Sequence, residues 1–221
     1  MIDTLYFIAA RGQSRRFPRK HFAEVNGRPL LWYTLDWAKR QGIAEHTILA
    51  TDDNDYASYA AAEGIKAIVA PSDPQGNTWK AIGDALRLDG RQAAKIAHLN
   101  PCAPLRPPGL LEEAHNRLKA EWDGIISCVR QPTWRHYVCP TYYGIKLLDP
   151  RETWQSSGCL TMIWADRLEP LPGAERELES RLNLQLLDHT GPVADVDLPE
   201  DIAPLEGILR RGYGPWTTAE L

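Results

Sequence analysis

"TLYFIAARGQSRRFPRKHF" spans residues 4–22, and its reading decides the rest of the chain. The first half is a short apolar run, of the length and bulk of a strand buried on both faces. The second half places Arg11, Arg15, Arg16, Arg19 and Lys20 within ten positions. In an open α/β sheet, ligands bind beyond the carboxyl ends of the strands, so the loop after the first strand is a privileged place. Gly12 and Ser14 let a backbone approach an oxyanion, arginine forks match phosphate oxygens, and lysine adds a compact charge. The loop has no Gly-Lys-Ser/Thr end and so is not a Walker loop, and it lacks the GxGxxG spacing. Its plain alternative is a solvated basic loop.

Working outward, short apolar runs alternate with helical patterns. "HTILAT" (46–51), "IKAIVA" (65–70), "AKIAHLN" (94–100) and "GIISCV" (124–129) predict further buried strands. "PLLWYTLDWAKRQG" (29–42), "DNDYASYAAAEG" (53–64), "TWKAIGDALRLDG" (78–90) and "PGLLEEAHNRLKAE" (108–121) predict helices, several closing on glycine. Strand–helix alternation predicts an α/β fold, a mostly parallel sheet wrapped by helices. Residues 130–156, rich in aromatic, proline and cationic residues, break the pattern and read as a lid, an excursion from the sheet or a dimer contact. "CLTMIW" (159–164) returns to a strand, and a proline-rich charged connection follows.

The 221 residues are enough for one sizeable core, and 43% hydrophobic with 24% charged residues is ordinary globular composition. The net charge of −4 makes the basic loop a local feature of an acidic chain. That points to a small anionic ligand and away from nucleic acid. "MIDTLYFIAAR" is too short in its apolar part for a membrane span and lacks the cationic flank of a signal peptide, so the chain reads as cytoplasmic. Cys102, Cys128, Cys139 and Cys159 have no metal-ligand spacing and read as scattered reduced thiols.

Two more stretches carry chemistry. In "ADVDLPED" (194–201), Asp195 and Asp197 lie two apart, on one face of an extended segment, where two carboxylates can share a hard divalent cation. Asp197 is equally credible as a helix N-cap with Glu200 as its capping-box partner, a role that leaves Asp195 without one. In "HLNPCAPLRPP" (98–108), prolines stiffen a loop at a strand end. Asn100 there offers a donor and an acceptor suited to a base edge, or to satisfying backbone. "TDDND" (51–55) reads as an acidic helix start.

These stretches together resemble the cytidylyltransferases that make CMP-activated acidic sugars, the CMP-N-acylneuraminate synthetase group. "IAARGQSRRFPRKHF" looks like that family's nucleotide motif, and "NGRPLLWYTLDWA" with "ILATDD" like its next block. "HLNPCAPLR" is similar to "LLQPTSPLR", and "DVDLPEDI" to the metal motif "DIDTPEDL", in the same order over roughly 1–128 and 193–209. The resemblance implies a single Rossmann-like nucleotidyltransferase domain over 1–221, CTP as substrate, Mg2+ as cofactor and a homodimer. By position it implies nucleotide contacts at Ala10, Arg11, Gly12, Ser14, Lys20, His21, Asn100 and Arg106, with Arg11 and Lys20 on the triphosphate. It implies metal binding at Asp195 and Asp197, and an acceptor near Ser157 and near Lys146, which stands about where the family has a substrate-carboxylate arginine; the cationic, aromatic middle segment adds Arg135 as a candidate to meet an anionic acceptor. His21 stands where the family has asparagine, Asn100 where it has glutamine, and Ser157-Gly158-Cys159 where it has an "NGA" turn. The expected reaction is transfer of CMP from CTP to an acidic acceptor, a nonulosonic acid first, with pyrophosphate leaving. The alternatives are a phosphonate or phosphate acceptor, a metal-dependent glycosyltransferase using an Asp-x-Asp pair, and a non-catalytic nucleotide-binding module. Neither nucleic acid nor membrane is an expected partner.

Overall fold

The computed structural model describes residues 2–14, 16–71, 77–131, 153–168, 182–189 and 192–215. The opening apolar run forms β1 (Ile2–Ala10), and an Asn26-Gly27 turn closes a small hairpin of β2 (Glu24–Val25) and β3 (Arg28–Pro29). Both turn residues have positive φ, 46° and 76°, as a two-residue type I′ turn requires. The chain continues through α1 (Leu30–Arg40), β4 (Thr47–Thr51), α2 (Asn54–Ala62), β5 (Lys66–Val69), α3 (Thr78–Asp89), β6 (Ala93–Leu99) and α4 (Leu110–Arg117). β7 (Gly124–Gln131), β8 (Thr153–Trp164), β9 (Leu184–Asp188) and α5 (Ile202–Arg210) complete it.

Seven strands form one sheet in the order β5-β4-β1-β6-β8-β7-β9. Every ladder is parallel except the two made by β8, which runs antiparallel between β6 and β7. From β1 the chain moves outward to β4 and β5, then returns to place β6 on the other side of β1. That reversal creates a crevice between the carboxyl ends of β1 and β6, the position where open α/β sheets bind ligands.

Strand alternation fills both faces of the sheet. Leu5 and Phe7 of β1 pack with Trp79, Ile82 and Ala85 of α3. Tyr6, Ile8 and Ala10 point the other way, into a cluster with residues of α1, α4 and α5. Two helix starts are set locally: Asp53 accepts from the N–H groups of Asp55 and Tyr56 at the head of α2, and Asn77 accepts from Trp79 and Lys80 at the head of α3. α3 then stops at Gly90, which takes the left-handed φ of 72°.

Three features depart from the sequence expectation. The 130–156 stretch is not an excursion at its ends: β7 runs to Gln131 and β8 begins at Thr153, while 132–152 lie outside the described residues. The connection after residue 164 holds β9, a five-residue edge strand that pairs with β7 alone, so neither length nor two-sided burial marked it. Finally, Ser157-Gly158-Cys159 is no free turn but part of β8. There the register against β7 shifts between Ile126 and Cys128, and Gly158 has φ of 69°.

Candidate functional site

The loop after β1 is pinned from both sides. Ala10 is buried as the last residue of the strand, opposite Thr51 of β4. The Gly12 N–H donates to Asp52 Oδ1 at 2.7 Å. A Cβ on Gly12 would sit 2.7 Å from Asp53 Oδ2 and 2.9 Å from Asp53 Cβ, so only glycine passes this point. Ser14 Oγ accepts from the Phe17 N–H at 3.4 Å, which shapes the bend. Arg19 adopts a left-handed φ of 54°; its guanidinium pairs with Asp55 at 2.7 Å and lies over the Phe22 ring. Arg19 therefore fastens the loop to the start of α2, and the turn it makes sends the next side chain, Lys20, inward. Arg11 is exposed, and Arg15 lies outside the described residues.

Lys20 is where three segments meet. Its Nζ donates to the Val196 carbonyl at 3.1 Å and to Asp197 Oδ1 at 3.2 Å. Arg16 Nη2 donates to the other Asp197 oxygen at 2.8 Å. The Val196 N–H in turn donates to the Cys102 carbonyl at 2.8 Å. The basic loop, the loop after β6 and the Asp195–Asp197 segment are thus knitted together beyond the ends of β1 and β6. Burial alone would depress the Lys20 ammonium; the Cys102 thiol and the Asp197 carboxylate outweigh it and hold its pKa above the ordinary lysine value. The Cys102 thiol is pushed up to about 11 by burial, against the pull of Lys20. Burial, then the neighbouring Asp197 charge, raises Asp195 to about 6.

The competing role for Asp197 is overturned. The 3-10 turn Pro199–Asp201 that leads into α5 starts at Leu198, and Asp201, not Asp197, closes it: its carboxylate reaches back to accept from the N–H groups of Asp197 and Leu198, both at 2.8 Å. Asp197 is left to face Arg16 and Lys20. Asp195 makes no hydrogen bond or ion pair among the described residues. Nor does any cluster of three or more His, Cys, Asp or Glu side chains there suit a metal ion. A pair of carboxylates is nonetheless the donor set that suits Mg2+, which takes one or two carboxylates and completes its shell with other oxygens and water.

Other expected contacts fall elsewhere. His21 points into the core, 3% exposed, with its ring edge-on to Tyr56 and its Nδ1 unpartnered. Burial, then Lys20 and Arg11, lower its pKa to about 3, so it is a neutral core residue rather than one facing a nucleotide. Arg106 is 2% exposed and spends its fork on main-chain carbonyls and a hydroxyl, not on the crevice. Asn100 accepts from the Cys102 N–H at 3.0 Å and so shapes its own loop. Its amide nitrogen would lie 3.6 Å from a Cβ built on Gly158. Ser157 is buried, donating to Ser127 Oγ at 2.8 Å and touching Cys159 Sγ at 3.3 Å, so it is turned away from any acceptor. Arg135 and Lys146 lie outside the described residues. Sequence reasoning missed Arg16 as the partner of Asp197 and Cys102 as the link to Val196. Proximity across some 180 and 94 positions leaves no local signal.

Residues 5–80 match the cytidylyltransferase family. The chain is 31% identical over 106 residues to a 3-deoxy-manno-octulosonate cytidylyltransferase of Nitratidesulfovibrio vulgaris, covering 48% of this chain and 42% of that one. It is 30% identical over 123 residues to a pseudaminic acid cytidylyltransferase of Campylobacter jejuni, covering 52% and 53%. The chain thus spans about half the length of the curated relatives it matches. The structure superposes on a CMP:2-keto-3-deoxy-manno-octonic acid synthetase complexed with CTP with a TM-score of 0.74, at 17% identity, over 95% of this chain and 99% of the other. The fold is that of the Rossmann-like nucleotidyltransferases, and the resemblance to acidic-sugar cytidylyltransferases read from the motifs is borne out. Among the described residues no helix is long and apolar enough to cross a membrane.

Proposed function

We propose that the crevice beyond β1 and β6 binds CTP with Mg2+ and transfers CMP to an acidic sugar, releasing pyrophosphate. The observation that carries this reading is the meeting of Lys20, Arg16, Asp195 and Asp197 at the switch point of the sheet, made by segments far apart in the chain. The matches to cytidylyltransferases of octulosonic and pseudaminic acids support the same chemistry.

In this reaction an acceptor hydroxyl oxygen attacks the α-phosphorus in line. An O–P bond forms, the bond to the β-phosphate bridging oxygen breaks, and the hydroxyl proton is lost to solvent. Lys20 is held at the crevice by two acceptors, with only 13% of its side chain exposed, so its charge is fixed before the nucleotide arrives. Fixed charge aimed at developing charge is the main source of rate in such transfers. Arg16 and Arg11, more exposed, reach outward to phosphate oxygens. Asp195 and Asp197 would hold Mg2+, which when bound supplies positive charge to the phosphate oxygens and leaving group. Gly12 lets the backbone pass close against Asp53, and the buried Ala10 fixes where the strand ends. A nonulosonic or octulosonic acid as acceptor, a homodimer and a cytoplasmic setting belong to the same proposal.

The test is pyrophosphate release with CTP and Mg2+ against 3-deoxy-manno-octulosonate, N-acetylneuraminate, pseudaminic acid and small phosphonates. Release with one or more of the sugar acids is expected. Release with phosphonates alone would replace the acceptor class while keeping the nucleotide chemistry. Tight CTP binding without release for any acid would leave a non-catalytic nucleotide-binding module.

A further inference from the structure

The buried cation beneath the loop after β6 has a role that nucleotide contact does not explain. Arg106 Nη2 donates to the Asn100 carbonyl at 2.8 Å, Nε to the Cys159 carbonyl at 3.1 Å, and Nη1 to Thr34 Oγ1 at 3.2 Å and the Pro104 carbonyl at 3.4 Å. Its guanidinium carbon stands 5.0 Å from the centre of the Trp37 ring. One side chain thereby ties the end of β6, the irregular part of β8 and helix α1 to the same point. From that point a continuous run of bonds leads to the crevice. Asn100 Oδ1 accepts from the Cys102 N–H at 3.0 Å, the Cys102 carbonyl accepts from the Val196 N–H at 2.8 Å, and the Val196 carbonyl accepts from Lys20 at 3.1 Å.

We infer that Arg106 is a positioning residue: through Asn100, Cys102 and Val196 it sets where Lys20 and the Asp195–Asp197 segment stand in the crevice. The inference rests on the cytidylyltransferase reading for its effect on rate, though not for its effect on Lys20. A buried charge is a poor device for stability alone, since apolar side chains of similar volume often stabilise as well or better. What a planar fork does that a methionine or a lysine cannot is bond several carbonyls at fixed angles at once. The loop it organises has the stiff sequence Pro101-Cys102-Ala103-Pro104, so a displacement at Asn100 is passed on to Cys102 rather than absorbed.

The test uses Arg106→Met, of similar length without the charge, and Arg106→Lys, which keeps the charge without the fork. Two quantities are read. The first is the rate at which Lys20 is acylated by an amine-reactive ester, followed peptide by peptide by mass spectrometry. The second is kcat and KM for CTP, per folded molecule. In Arg106→Met, Lys20 is expected to label several-fold faster and kcat to fall by about 10²-fold, the scale of an ångström's misplacement. KM is expected to stay within about threefold. Arg106→Lys restores part of both, and it carries the test alone if the methionine variant does not fold. Added to Lys20→Ala, Arg106→Met should lower kcat by clearly less than it does alone, because one of the groups it acts through is gone and only its hold on the Asp195–Asp197 segment remains. Wild-type labelling and wild-type kcat in both variants, with only a lower melting temperature, would make Arg106 purely structural and overturn the inference. Full multiplication of the two effects in the double variant would overturn it as well. A parent protein without CTP turnover would sink the cytidylyltransferase reading instead, and the Lys20 labelling rates would still decide the role of Arg106.

Discussion

Replacing Asp197 with asparagine, alongside Asp201 with alanine, separates two jobs that one short acidic segment performs. Asp201 accepts two backbone N–H groups just ahead of the turn that leads into α5, each at 2.8 Å. Losing such a cap costs about 1 kcal/mol, and losing the charge next to the helix start about 0.3–1 kcal/mol more. In a chain of 221 residues each kcal/mol moves the melting temperature by about 2–4 °C, so Asp201→Ala should lower it by about 3–8 °C. Asp197 caps nothing. Its pair with Arg16 is more than half exposed on the arginine side and is worth about 0–1 kcal/mol. Lys20 keeps the Val196 carbonyl as a partner, and Asp195 loses a like-charged neighbour. Asp197→Asn should therefore leave the melting temperature within about 4 °C. Pyrophosphate release should fall by about 10²–10³-fold, the scale of losing one preorganised charge contact, and half-saturation should need more Mg2+. Scanning calorimetry and a Mg2+ titration of release read the two effects separately. If Asp197→Asn melts as low as Asp201→Ala and releases pyrophosphate normally at low Mg2+, the residue is a cap and the metal reading is wrong.

Other consequences can be checked in parallel. Gly12→Ala forces a Cβ to within 2.9 Å of Asp53 Cβ and should cost about 1–3 kcal/mol, seen as a lower urea midpoint; an unchanged midpoint would mean the loop moves freely there. Lys20→Ala should lower kcat by about 10²–10³-fold while weakening calorimetric CTP binding far less, and near-normal turnover would return Lys20 to a structural role. With Mg2+ present, CTP should bind more tightly than ATP, GTP or UTP, and equal ATP binding would count against cytidine. Stability should fall on acidification. His21 and His98, held near a pKa of about 3 by burial, bind protons only when unfolded between about 6.5 and 3, so each withdraws stability as pH drops through that window. Asp195, raised to about 6, works the other way below that pH. The net loss from pH 7 to pH 5 is about 2–3 kcal/mol, and a flat urea midpoint over that range would refute the buried neutral imidazoles.

What the sequence by itself determined lies in features whose physics is local. The apolar run of β1, the Pro29 and Gly42 limits around α1 and the acidic start of α2 depend on neighbours a few residues away, so the alternating strands and helices were legible, and with them the sheet and its first loop. Resemblance of four motifs added the expectation of nucleotide chemistry to the crevice that this order creates. Tertiary structure alone decided which polar groups face that crevice, because the choice is made by partners remote in the chain. Arg106 is swallowed by Thr34, Asn100 and Cys159. Ser157 is drawn inward by Ser127, across two strands whose register slips there. His21 is sealed against Tyr56. From spacing, Asp197 read equally well as a metal ligand or as a helix cap partnered by Glu200. The bonds from Arg16 and Lys20, some 180 positions earlier, left Asp197 in the crevice and Asp201 on the helix. A charged side chain buried without partners is costly, so its direction is set by whichever distant donors and acceptors the fold brings within reach, and no window of sequence contains them.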